Sequence, residues 1–345
     1  MLGRTIFSTW LVCGGLLGCQ QPGAIQWTAS SAAQALPPEW QQTLQHELEK
    51  YVGTWVKPRA ELLPDVRPRD LKHGQQVYQA HCAMCHGDSG DGQGIAAQYL
   101  YPKPRDYRKG IFKFVSTQYG ARPLREDLLR IVRQGIRGTS MPEFRLLPER
   151  DLQAVVDYVI LLARRGELEE LLVNTVDAEG ELDPQTVAEE LVPTVIQRWR
   201  QAEEHVVYPH SPPPKFTSAH VARGRQAFLT KGCAKCHGED GRGQTPENRG
   251  NDLWGHPARA ADLTSGMLRG GQQSLDVYRR IHAGVNGTPM PGFALALQEE
   301  PDTIWDLVAY VAQVSQRRRS GEIPPPGLLK PYLTAESAPS APAEE

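Results

Sequence analysis

Two short runs of this 345-residue chain hold its most reactive side chains: Cys82-Ala83-Met84-Cys85-His86 and Cys233-Ala234-Lys235-Cys236-His237. In each, two thiols three positions apart are followed at once by an imidazole, the C-x-x-C-H spacing that attaches a c-type haem. The thiols can reach the two vinyl groups of one porphyrin as thioethers while the imidazole meets the iron from the same face. Five residues then supply covalent attachment and proximal ligation together. A C-x-x-C pair can also form a redox disulfide or half of a zinc site. The first use lacks a βαβ setting. The second would share one metal between pairs about 150 residues apart and leave both histidines without a role.

An iron held by one histidine needs a sixth ligand if it is to carry electrons without binding small molecules. Beyond Met1 there are four methionines, and two of them recur in one frame: Gly135-Ile136-Arg137-Gly138-Thr139-Ser140-Met141-Pro142 and Gly284-Val285-Asn286-Gly287-Thr288-Pro289-Met290-Pro291. Met141 follows His86 by 55 residues and Met290 follows His237 by 53. A thioether on the far face completes a His/Met pair, which raises the reduction potential. Met84, inside the attachment loop, is badly placed for the opposite face, and Met267 has no methionine counterpart. His73, His81, His256 and His282 do not recur at equivalent places and read as solvated or structural.

The elements that must position these groups also come twice. Gly74-x-x-x-Tyr78 leads into the first C-x-x-C-H run and Gly224-x-x-x-Phe228 into the second, and each half closes on a helical apolar stripe. The stripes are Leu152, Val155, Val156, Val159 and Ile160, then Ile304, Leu307, Val308 and Val311, at spacings that place each set on one helix face. Pro148 and Pro301 mark the helix starts, with Glu149, Asp151 and Asp302 at the positive ends of the dipoles. Tyr158 and Tyr310 take matching places, where each terminal helix is expected to cross the helix bearing Gly74 or Gly224. Residues 166 to 209 read as a structured connector broken at Gly180, Pro184 and Pro193. A helix is expected near Glu39 to Tyr51.

C-x-x-C-H, then G-T-x-M-P some fifty residues on, then an amphipathic helix: this order resembles the class I cytochrome c family over roughly residues 69 to 165 and 218 to 316. The resemblance implies a mainly α chain, two tandem cytochrome c-like helical domains joined by a partly helical connector. It implies two covalently bound haem c groups, attached through Cys82, Cys85, Cys233 and Cys236, with His86 and Met141, then His237 and Met290, on the irons. The family commonly fixes its proximal histidine by a hydrogen bond to a backbone carbonyl, often of a proline, for which Pro102 or Pro104, and Pro257, are candidates. Arg105 and Arg259 read equally as partners of haem propionates or as solvated surface residues.

Met1 to Arg4 is short and positive, Ile6 to Leu17 is largely apolar, and Leu16-Leu17-Gly18-Cys19 resembles the lipobox of bacterial lipoproteins. Cleavage before Cys19 and acylation there would anchor an exported protein at the periplasmic face of a bacterial membrane; the apolar run falls short of the roughly 20 residues of a spanning helix. The expected plan is a signal peptide over 1–18, a spacer and amino-terminal helical segment over 19–68, haem domains over 69–165 and 218–320, a connector over 166–217, and a disordered Pro/Ala-rich tail over 321–345. Residues 20 to 38 are expected to be a flexible spacer. A formal charge of −2 excludes a basic nucleic-acid binder, and loss of Arg4 takes the balance from 38 − 40 to 37 − 40, or −3. The expected function is electron transfer between redox proteins at a membrane surface, in a respiratory chain. The rivals are a dihaem enzyme such as a cytochrome c peroxidase and a fixed haem subunit of a larger membrane oxidoreductase.

Overall fold

The computed structural model describes residues 26–248 and 250–321. The expected signal peptide, Cys19 and the tail beyond 321 lie outside the described residues. Helices dominate, in two successive sets. The first set opens with α1 (Ser31–Ala35), α2 (Pro38–Val52), α3 (Pro68–His81) and the one-turn α4 (Ala83–His86), then α5 (Arg125–Gln134) and α6 (Glu149–Glu179). Next come α7 (Pro184–Thr186) and α8 (Val192–Arg200), and the second set follows as α9 (Ser218–Thr230), α10 (Cys233–His237), α11 (Ser274–Ala283) and α12 (Thr303–Val314). The described strands form one antiparallel hairpin, β1 (Gly250–Asn251) with β2 (Pro257–Ala258), in the register Gly250 to Ala258 and Asn251 to Pro257.

Both expected apolar stripes are buried, and each forms the centre of its own core. In the first half α3 crosses α6; in the second α9 crosses α12. At each crossing a glycine lets two backbones meet: a Cβ on Gly74 would overlap the Ala154 carbonyl oxygen, and one on Gly224 the Asp306 carbonyl oxygen. Tyr158 and Tyr310 stand beside these glycines, their own Cβ atoms 3.1 and 3.0 Å from those positions. The rings pack against Tyr78 at 5.3 Å and Phe228 at 5.1 Å, tilted by 59° and 58°. Such pairs contribute about 0.5–1.5 kcal/mol beyond the area they bury. The two domains are thus built around one repeated helix crossing.

No break falls between residues 165 and 166, where the sequence pattern placed the start of the connector. Helix α6 runs through for about 46 Å and ends at Gly180, whose φ of +70° is a left-handed cap. The turn just past residue 165 is buried despite its charges, because they are paired: Arg165 lies 3.5 Å from Glu169, and Glu167 accepts from the Trp199 indole at 2.7 Å and from Arg122 at 2.7 Å. Trp199 belongs to α8, so these bonds fasten the connector to the first domain. Pro193 does not interrupt the helix there. A π-helical turn over Val187–Leu191 precedes it, and that wider turn takes up the missing N–H.

The spacer expectation also needs correction within the described residues. Trp27 donates to the Tyr158 hydroxyl at 3.2 Å and the Ser30 N–H to Glu169 at 3.0 Å. Ala33 and Leu44 are buried in the first core, so the segment from residue 26 onward is packed. The cause is the long α6, whose surface at and beyond its crossing with α3 receives this segment.

The glycine crossings give the first expected outcome. Gly74→Ala should destabilise the protein by about 3 kcal/mol, the upper end of the overpacking range, because the obstacle is backbone and cannot swing aside. Gly120→Ala is the control, since its Cβ position meets nothing within 4 Å; although its φ of +85° carries its own cost, this should be about 1 kcal/mol. Chemical denaturation of the two variants makes the comparison.

Candidate functional site

The two C-x-x-C-H runs form α4 and α10, single turns at the ends of α3 and α9. The turn places the imidazole at the end of a segment whose N–H and C=O groups are already engaged: the Gly92 N–H donates to the His86 carbonyl at 2.9 Å and the Gly243 N–H to the His237 carbonyl at 2.7 Å. The chain then folds back to the same place in both halves. Tyr107 N–H donates to the Gly90 carbonyl at 2.7 Å, and Leu263 N–H to the Gly241 carbonyl at 2.8 Å. Two residues before each anchor, a carbonyl meets the ring: His86 Nδ1 lies 3.1 Å from the Arg105 oxygen, and His237 Nδ1 lies 3.1 Å from the Ala261 oxygen.

The proline candidates for that carbonyl, Pro102, Pro104 and Pro257, are therefore corrected to Arg105 and Ala261. A signal for this was present in the repeat. Asp106 and Asp262 follow the two carbonyls, and each carboxylate accepts the N–H two residues on, from Arg108 at 3.0 Å and Thr264 at 2.9 Å. This Asx turn sets the carbonyl's direction, and the aligned aspartates mark it without any proline.

With Nδ1 bound to a carbonyl, the ring carries its proton there and leaves Nε2 with a free lone pair. Burial pushes the His86 pKa down to about 4, against the opposing effect of the Arg105 carbonyl, and burial likewise lowers that of His237. Both rings are thus neutral ligands near pH 7. Burial pushes the Cys82 thiol up to about 12 and the Cys233 thiol to about 11, with the neighbouring cysteines adding to the rise. A redox C-x-x-C pair needs the opposite shift. The four cysteines of the two runs are not paired as disulfides, and the described residues contain no cluster of three or more His, Cys, Asp or Glu side chains that could hold an ion by themselves.

Met141 and Met290, both partly buried, occupy loops with the same four hydrogen bonds. Ile136 N–H donates to the Met141 carbonyl at 3.1 Å; the Thr139 N–H and hydroxyl both donate to the Ile136 carbonyl, at 3.2 and 2.7 Å; and Met141 N–H donates to the Thr139 hydroxyl at 3.1 Å. In the second loop Val285, Thr288 and Met290 repeat the set at 3.2, 3.1, 2.8 and 3.3 Å. The first loop closes on the attachment segment, with Phe144 edge-on to His81 at 6.2 Å. In the second, Phe293 and Cys233 pack on the same core. Met84 and Met267 are exposed. His73 pairs with Asp151 at 2.7 Å, and His282 stacks on Tyr278 at 5.9 Å.

The donor set fits a c-type haem in each half: two free thiols, one neutral imidazole turned by a carbonyl, and one thioether on a braced loop. Trp254 Nε1 and His282 Nδ1, which flank the Met290 loop, are buried without a protein partner. Buried donors normally find acceptors, and a bound group carrying carboxylates would supply them. Arg259 is exposed, while Arg105 lays its guanidinium on the Trp254 ring. The sequence pattern did not reveal that contact, which joins residues about 150 apart. A cavity of about 860 Å³ lies between the halves, beside the loop that follows the first C-x-x-C-H run, and is lined by Gly92, Lys103, Arg108, Glu169 and Trp254 among others.

Known proteins resemble both halves of the chain. Residues 69–159 match the family described as cytochrome c oxidase, cbb3-type, subunit III, and residues 221–315 match the cytochrome c family. A chain of the reducing HAO-like protein complex of Kuenenia stuttgartiensis is 30% identical, with a TM-score of 0.56, over 71% of this chain and 96% of its own length. A thiosulfate dehydrogenase of Stutzerimonas stutzeri is 46% identical over 33 residues, so the match spans 10% of this chain and 11% of that protein.

The threonine braces give a second expected outcome. Thr139→Val or Thr288→Val removes a donor and an acceptor from one methionine loop and should cost about 1–2 kcal/mol, whereas the serine variants keep both bonds. Denaturant titration of the four variants is the check.

Proposed function

Because this chain belongs to the cytochrome c family, with two of its domains in tandem and two covalently bound haems c, we propose that it relays electrons between redox proteins at the periplasmic face of a bacterial membrane, in a respiratory chain. The observation that carries the reading is the twofold repeat of one ligand frame, a carbonyl-turned histidine and a threonine-braced methionine. Each haem supplies reversible one-electron chemistry at its iron when bound.

In this reading Cys82 and Cys85, then Cys233 and Cys236, hold the haems through thioethers. His86 and His237 present Nε2 to the metal, and the Arg105 and Ala261 carbonyls keep the rings in orientation and raise their donor strength. Met141 and Met290 would each supply a second protein ligand to a haem, which would keep water and small molecules off the metal and favour the reduced form. Cys19 carries the lipid that holds the protein at the membrane. A histidine and a methionine that could both ligate each haem favour a carrier over a peroxidase.

A second reading has specific support. One match is to an oxidase subunit and another to a chain of a redox complex, which favours a fixed haem subunit of a membrane oxidoreductase. Copurification with a larger complex from detergent-solubilised membranes distinguishes it from a free shuttle.

Met141→Ala and Met290→Ala should each lower the potential of one haem in a spectroscopic redox titration and leave covalent attachment intact. Reduced wild-type protein should bind no carbon monoxide. Stoichiometric binding at both haems without denaturant contradicts the proposal.

A further inference from the structure

The contact between the two halves contains a junction that the carrier reading does not use. Arg105 belongs to the first domain and Trp254 to the tip of the β1 to β2 hairpin of the second, and the guanidinium carbon lies 3.6 Å from the centre of the indole ring. A planar cation flat on an indole is a favourable stack. Lys113 stands 5.8 Å from the same ring and pairs with Asp252 at 2.9 Å. Asp252 also accepts the N–H groups of Trp254 and His256, at 3.1 and 3.0 Å, which fixes the hairpin tip.

On its other side the ring closes on the second domain. A Cβ built on Gly287, at φ +67°, would stand 2.6 Å from the indole, and the Leu253 N–H donates to the Gly287 carbonyl at 2.9 Å. Only glycine fits that approach in that conformation. With Nε1 buried and unpartnered by protein, the ring is held by packing against these two neighbours.

Each end of the stack leads to one of the ligands proposed above. The Arg105 carbonyl is the acceptor for His86 Nδ1, and Gly287 stands three residues before Met290 in the loop that Thr288 braces. We infer that Arg105 and Trp254 are positioning residues that couple the two haem sites, one contact restraining both the carbonyl that turns His86 and the loop that presents Met290. The inference rests on that ligand assignment.

Loosening the stack has opposite consequences at its two ends. A slack carbonyl weakens the bond to Nδ1, makes the imidazole a poorer donor and so raises the potential at the His86 site. A slack Met290 loop weakens the thioether contact and admits water, which lowers the potential at that site.

Spectroelectrochemical titration of Trp254→Leu tests this, with haem content and thermal melting as folding controls and the two waves assigned through Met141→Ala and Met290→Ala. The expected result is a rise at the His86 site and a fall at the Met290 site, both reversed towards wild type in Trp254→Phe. Arg105→Lys keeps the charge but not the planar stack, so it should shift both waves with the same signs, and it carries the test alone if Trp254→Leu does not fold. A shift confined to the Met290 site, or none at either site, overturns the coupling and leaves the haem reading intact. Fewer than two haems overturns the reading beneath it.

Discussion

An imidazole can serve a metal only if its ring is turned so that one nitrogen faces the ion and the other is held elsewhere, and that requirement organises each half of this protein. The holding bond runs from Nδ1 to a main-chain carbonyl, 3.1 Å away in both domains. To put that carbonyl there, the chain leaves the one-turn helix, doubles back, and is pinned by the Tyr107 or Leu263 N–H and by an aspartate turn. The turn in its own right rests on the helix crossing at Gly74 or Gly224, which fixes where the attachment segment begins.

The halves differ in what surrounds that common frame. The first domain has a terminal helix extended well past the crossing, and its buried charges hold the connector through Trp199 and the amino-terminal segment through Ser30. Isolated buried charges would be costly, but Glu167 and Glu169 each meet several donors, so the penalty is offset locally. The second domain carries less among its described residues: the end of the connector lies on it, with Val207 in its core and the Trp305 indole donating to the Ser211 carbonyl at 3.0 Å. It also extends the Trp254 hairpin to its neighbour, and further bonds secure the contact: Gly120 N–H to Asn286 at 2.9 Å and Arg137 to Gln272 at 3.0 Å. Both methionine loops touch the opposite domain through these residues. Two independent haem modules have thus become one body with a shared seam.

Much of the frame was legible in the sequence because it depends on local patterns: the C-x-x-C-H spacing, the G-T-x-M-P repeat and the apolar stripes of α6 and α12. The crossing at Gly74 and Gly224 was legible for the same reason, since a glycine four residues before an aromatic recurs with a tyrosine on the partner helix. What escaped depends on partners distant in the sequence. The Arg105 carbonyl is marked in the sequence by the aspartate that follows it and not by the nearby prolines. Residues 26 to 38 read as part of a flexible spacer because their composition says nothing of the α6 surface that receives Trp27. The charge-rich stretch after residue 165 reads as the start of a structured connector, yet it continues α6 without a break, and its buried charges pair with each other and with α8.

The most direct test of the account is peptide mass mapping of protein matured in a cytochrome-producing host. The account predicts one haem covalently attached to the peptide containing Cys82 and Cys85 and a second on the peptide containing Cys233 and Cys236. Either peptide without a porphyrin, or with its two thiols joined to each other as a disulfide, would contradict it.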